Sequence, residues 1–95
     1  MSVYFVAHIK IEDNTEYQLY LNDCDDIFSK YNGRYLAVDS NPEVLEGEWN
    51  YSRSILIEFP SEKELKKWYH SGEYQRIRKH RLAAAKCDTI VVHGK

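Results

Sequence analysis

Residues 53 to 85 read RSILIEFPSEKELKKWYHSGEYQRIRKHRLAAA. Arg53 to Phe59 alternates, with Ile55, Ile57 and Phe59 on one face and Ser54, Leu56 and Glu58 on the other, as a strand requires. Pro60 has no N–H to continue a ladder and stops it. Ser61 and Glu64 then form a capping box, and Leu65, Trp68 and Tyr69 supply the i, i+3, i+4 face of a helix. Ser71-Gly72 interrupts that helix. A second helical segment follows from Glu73 to about Ala85.

Working outward, Cys87 to His93 (CDTIVVH) reads as a strand, closed by Gly94-Lys95. Upstream, residues 47 to 52 (GEWNYS) are a loop carrying Trp49 and Tyr51, large aromatics that need a surface to pack on. Arg34 to Val38 is a short strand, Asp39 to Pro42 is turn chemistry, and Glu43 to Glu46 is expected to pair as a short extension. Residues 13 to about 31 predict a helix capped by Asp13 with Glu16, with an apolar stripe through Tyr17, Tyr20, Leu21, Cys24, Ile27, Phe28 and Tyr31. Gly33 is the expected left-handed residue that ends it. Val3 to Ile11 alternates, with Val3, Phe5, Ala7, Ile9 and Ile11 facing one way and Tyr4, Val6, His8 and Lys10 the other.

The order β-α-β-β-α-β over residues 1–95 predicts a single α+β domain, a ferredoxin-like antiparallel sheet with its helices on one face. Val6, Leu56 and either Ile90 or Val91 leave the second face too apolar for open water. One layer of helices cannot cover both faces, so a second copy packed sheet to sheet is expected, giving a homodimer.

Composition narrows the function classes. The chain has 95 residues, 43% of them hydrophobic, and a formal charge of −2. That balance disfavours nucleic acid or an anionic membrane as partner. The run Arg76 to Arg81 reads mainly as the solvated side of a helix. The third strand also lacks the stacking aromatics of an RNA-recognition module. Cys24 and Cys87 form no CxxC pair, so no metal site is expected. The four glycines are scattered and offer no phosphate loop, so no cofactor is expected. No apolar leader and no apolar run near 18 residues is present; the expectation is a soluble, cytoplasmic protein.

Three residues are candidates for chemistry. On a helical wheel Arg81 falls with Tyr74, Ile77 and Ala85, inside the apolar stripe. A guanidinium there needs a carboxylate, a carbonyl or a ligand anion. Glu58, on the mixed face of the central strand, is either an acid–base group or an ion-pair partner for His8, Arg34, Arg53 or Arg81. His8 shares that face and is a candidate to exchange a proton with Glu58. Tyr35, Arg53, Trp49, Trp68, Tyr69 and Tyr74 are candidate ligand-binding residues. Because helices cover the face opposite Glu58, Glu58 and Arg81 meet only near a sheet edge or not at all.

The segments Tyr31-Asn32-Gly33-Arg34-Tyr35, Glu46-Gly47-Glu48-Trp49, Arg53 with Ile57-Glu58-Phe59-Pro60-Ser61, Trp68-Tyr69-His70-Ser71, Tyr74-Gln75 and Arg81 with Ala83-Ala84 resemble DUF1330, a family of small bacterial proteins of unknown function. The resemblance covers nearly the whole chain. It departs at Asn32-Gly33, where the family often has Gly-Gly, and at Gly72, where it often has Pro. It implies a dimeric α+β barrel and supplies no reaction. Two functional expectations follow. One is a cofactor-independent enzyme acting on a small anionic or carbonyl-bearing molecule, with Arg81 orienting it and Glu58 or His8 moving a proton. The alternative is a non-catalytic metabolite-binding or regulatory module.

Overall fold

The computed structural model describes residues 2–95. Its order is β1 (Val3–Ile11), α1 (Asn14–Ser29), β2 (Arg34–Asp39), β3 (Arg53–Phe59), α2 (Glu62–His70), α3 (Gly72–Ala84) and β4 (Ala85–His93). The four strands form one antiparallel sheet in the order β2-β3-β1-β4. This is the ferredoxin-like α+β arrangement that the alternation and helix stripes predict. No helix among the described residues is long and apolar enough to cross a membrane.

Strand β1 is central because its two faces do different work. Val3, Phe5, Ala7 and Ile9 are buried under the helices, with Ile55, Ile57 and Phe59 of β3 beside them. Tyr17, Tyr20, Cys24, Ile27 and Phe28 close that core from α1, and Leu65, Trp68, Tyr74 and Ile77 from α2 and α3. Phe5, Phe59 and Tyr74 each lie within 5.2 Å of the Trp68 ring, centroid to centroid, so Trp68 joins sheet and helices. Such aromatic pairs add to the area that the rings bury.

Local chemistry sets the element ends. Asp13 accepts from the Glu16 N–H at 3.1 Å, and Ser61 from that of Glu64 at 3.2 Å. Ser71 does two jobs at the break: its hydroxyl donates to the Trp68 carbonyl and accepts from the Tyr74 N–H, ending α2 and starting α3. Each such cap satisfies a donor that the first helical turn otherwise leaves unpaired.

Three sequence expectations are corrected. The left-handed residue after α1 is Asn32, at φ 63°, and not Gly33. Asparagine tolerates that region, and its neighbour is needed for a different reason: a Cβ on Gly33 would sit 2.7 Å from the Phe59 ring and 2.8 Å from that of Phe28. Glu43 to Glu46 does not pair with the sheet; it belongs to an exposed loop between β2 and β3, with Leu45 86% exposed. Strand β4 begins at Ala85, two residues early, because Ile11 of β1 extends the ladder to it. Gly33→Ala is expected to lower stability by about 1–3 kcal/mol through overpacking of the two phenyl rings; a urea midpoint unchanged from the parent would show that the rings give way freely.

Candidate functional site

The two faces of the sheet carry two separate sets of candidate residues. On the helix-covered side, Arg81 stands one turn from the end of α3 and is 3% exposed. Its guanidinium carbon lies 5.8 Å from the Tyr20 ring centre, and Tyr20 and Tyr74 share a hydroxyl–hydroxyl hydrogen bond of 2.9 Å. No carboxylate lies within 4.0 Å of Arg81 among the described residues, and its Nε has no protein partner. An uncompensated buried cation costs several kcal/mol. Burial opposes the charge, but Tyr74, Tyr20 and Cys87 around it hold the guanidinium pKa above its usual value.

The tyrosines beside Arg81 are donors and not bases. Burial pushes the Tyr17 phenol up to about 12, and it raises Tyr20 and Tyr74 as well. All three keep their protons at neutral pH. Tyr17 is 2% exposed, and its hydroxyl, like the Arg81 Nε, has no protein partner. What this interior offers a ligand is a fixed positive charge and phenolic O–H groups, the combination that stabilises an anion or an oxyanion.

The uncovered face holds Glu58 and His8. Glu58 accepts from Arg34 Nε and Nη2 of neighbouring β2, both at 2.9 Å, across the β2–β3 ladder. Of the four bases considered from sequence, Arg34 is the one it pairs with. Arg34 is mostly solvent-exposed, so the pair contributes about 0–1 kcal/mol. His8 Nδ1 accepts the indole N–H of Trp49 at 3.0 Å, which places the neutral ring's proton on Nε2. Trp49 also donates to Ser54 Oγ at 3.2 Å, and the Tyr51 hydroxyl donates to Asp88 at 2.6 Å. The loop aromatics thus lay the β2–β3 loop across the sheet, over a groove of about 470 Å³ lined by His8, Ser54, Trp49, Glu48 and residues 42 to 46.

Glu58 and Arg81 therefore share no site, because strand alternation sends Glu58 away from the helices. The remaining sequence candidates divide the same way. Arg53 and Tyr35 lie on the helix side; the Tyr35 hydroxyl donates to Asp25 at 2.9 Å, and its ring packs on Phe28. Trp68 is core, with its indole N–H unpartnered. Tyr69 is half-buried, under the Arg78 guanidinium at 5.3 Å, and lines a cleft of about 230 Å³ with Phe5, Leu65, Lys66, Thr89 and Val91 between α2 and β4. Sequence reasoning missed Tyr17 and Tyr20. Their place on the α1 stripe was plain, but nothing in spacing says that α1 and α3 bring them to Arg81. Among the described residues, no group of three or more His, Cys, Asp or Glu side chains is placed to hold a metal ion.

Residues 2–95 match the family described as "Domain of unknown function (DUF1330)". The chain belongs to the DUF1330 family. Curated proteins give no match to it. Solved structures similar to this DUF1330 chain include the RPA0582 protein of unknown function from Rhodopseudomonas palustris, 16% identical over 99% of this chain and 82% of that one, with a TM-score of 0.85. SnoaB, a cofactor-independent oxygenase from Streptomyces nogalater, is 9% identical over 99% and 93%, at 0.72. A dimeric ferredoxin-like protein of unknown function from Jannaschia sp. is 11% identical over 99% and 100%, also at 0.72. At these identities the likeness establishes the fold.

Two consequences can be measured. Tyr17→Phe removes a buried hydroxyl without a partner and is expected to raise stability at pH 7 by about 1 kcal/mol. The folded protein holds the Tyr17 proton to about pH 12, whereas an unfolded chain releases it near 10. Stability is therefore undiminished by this group below about pH 10 and falls as pH rises from there toward 12. Denaturant midpoints between pH 9 and 11.5 should fall less steeply for Tyr17→Phe than for the parent; equal slopes would mean that the phenol titrates normally.

Proposed function

We propose that this protein is a homodimeric metabolite-binding module that holds a small anionic or carbonyl-bearing molecule against Arg81, between the sheet and its helices. One observation carries the reading: a guanidinium 3% exposed, its Nε unpaired and no carboxylate within ion-pair reach among the described residues. Tyr17, Tyr20 and Tyr74 supply neutral donors beside it. Binding is favoured over acid–base catalysis there because Glu58 and His8 lie on the other face and the local tyrosines keep their protons. The chemistry left to Arg81 is polarisation of a bound carbonyl.

Dimerisation is supported by the uncovered face. Val6 is opposite Leu56 on one side and Ile90 on the other, and Tyr4 is opposite Val92. Ile90 is 58% exposed in the single chain and Val92 42%. A structure of like fold from Thermobifida fusca is, like the Jannaschia one, described as dimeric. Pairing these faces would bury His8, Trp49 and Glu58 between two sheets. The likeness to SnoaB and the His8 tautomer held by Trp49 favour a second reading, cofactor-independent catalysis in that enclosed space, for which His8→Ala should abolish turnover and leave Arg81-dependent binding intact.

Light scattering at micromolar concentration is expected to give twice the 11.3 kDa chain mass, and Leu56→Glu to give monomers. A monomeric parent would remove the homodimer. For the ligand, a thermal-shift screen of small carboxylates and quinone-like aromatics is expected to find binders. At a hundredfold excess over Kd, binding adds about 2.7 kcal/mol, several degrees in Tm. Arg81→Met should fold at least as well as the parent, since an unpaired cation is replaced by an apolar chain of similar length, and should lose the shift. A Met variant that still responds would remove Arg81 from the site.

A further inference from the structure

The helix layer stops short of the edge strand β4 and leaves an open cleft between β4 and α2. We infer that this cleft is a second ligand site. It takes a small aromatic monocarboxylate, with the ring on Phe5 and Val91 and the carboxylate at Lys66 and His70. The site is independent of the Arg81 reading, which concerns the start of β4, beside Cys87.

The cleft follows from matched spacings. Val91 and Thr89 stand opposite Phe5 and Ala7 in the β1 register, so they face the helices. His93, two residues beyond Val91, bonds through Nε2 to Glu62 at the start of α2, at 3.0 Å. Four helical residues rise about 6 Å, and two strand residues about 6.8 Å. Helix and strand therefore keep step. Lys66 comes level with Val91 and His70 with Thr89, and all four line the cleft. Phe5 and Leu65, both buried, line it from within, and Tyr69 forms a wall. Arg78 lies 5.3 Å from the Tyr69 ring centre and Gln75 donates to the Tyr69 carbonyl at 2.7 Å, which holds that wall in place. The volume is about 230 Å³. Sites for drug-sized ligands run to roughly 300–1,000 Å³, so this one suits a single ring.

The polar groups at the mouth are unengaged. Among the described residues, Lys66 has no carboxylate within 4.0 Å, and the side chains of Lys66, His70 and Thr89 make no hydrogen bond. The acceptors around them are already taken. Glu62 pairs with His93, Glu64 with Lys67, the Trp68 carbonyl with Ser71 and the Tyr69 carbonyl with Gln75. A carboxylate placed between Lys66 and His70 accepts from an ammonium and an imidazole N–H, with the Thr89 hydroxyl across the cleft as a third donor. The ring then covers apolar surface that the fold leaves open, Val91 being 37% exposed. A bare anion forgoes that burial, and an uncharged ring forgoes the ammonium.

Titration of the full chain at pH 7 with phenylacetate, phenylacetamide and acetate, followed by NMR at the amides of residues 66–70 and 89–91, tests this. At those amides the parent is expected to bind phenylacetate at least tenfold more tightly than phenylacetamide or acetate. Lys66 is exposed on α2, so Lys66→Met keeps a good helix former there and should fold. It should bring phenylacetate to within about twofold of phenylacetamide, and Lys66→Arg should restore most of the preference. Val91→Trp, which fills the cleft, should abolish the shifts. Shifts confined to amides around Arg81 overturn the cleft site and leave the Arg81 reading standing. Equal affinity for phenylacetate and phenylacetamide in the parent, or a preference that survives Lys66→Met, overturns the carboxylate end. Acetate binding as tightly as phenylacetate overturns the ring.

Discussion

Strand β1 carries apolar residues on both faces, and the chain has one layer of helices to cover them. Val3, Phe5, Ala7 and Ile9 take that layer; Tyr4, Val6 and His8 do not. Everything else follows from this imbalance. The helix-covered side becomes a dry core with Trp68 at its centre. The other side keeps Leu56, Ile90 and Val92 in contact with water unless something covers it, and the β2–β3 loop, pinned through Trp49 and Tyr51, covers only the end near His8.

Within the dry core, Arg81 is the exception to an otherwise apolar rule. Its surroundings are phenols, not carboxylates. A ring face attracts a cation by about 1–2 kcal/mol when desolvated, less than the several that burial of an ion costs. The Tyr20–Tyr74 hydroxyl pair uses one donor of that set internally and leaves Tyr17 free. An interior so short of acceptors would be stabilised by an anion from outside, and this is the thermodynamic basis of the proposed binding role. On that proposal stability and binding are opposed at Tyr17, whose unpaired hydroxyl weakens the fold and would serve a ligand.

Periodicity carried most of the architecture. The alternation of residues 3 to 11 and 53 to 59, the two capping boxes and the break at Ser71-Gly72 correspond to observed elements because each depends on neighbours within one turn or one ladder step. Errors came where a distant contact decided. The left-handed position fell to Asn32 while the Phe28 and Phe59 rings leave no room for a side chain at Gly33, and Glu43 to Glu46 stayed outside the sheet, whose third strand begins at Arg53.

By itself the sequence determined the element order, the face on which each strand residue lies, the burial of Arg81 in an apolar stripe and membership of the DUF1330 family. Those properties follow from local spacing and from residue identity. Only the tertiary structure decided that Glu58 pairs with Arg34, that His8 accepts from Trp49, and that Arg81 and Arg53 converge on Tyr20 and Tyr17 without a carboxylate. Each of those pairings joins elements distant in sequence, and the identity of a side chain's partner is set by how helices lie on a sheet, which no spacing along the chain encodes.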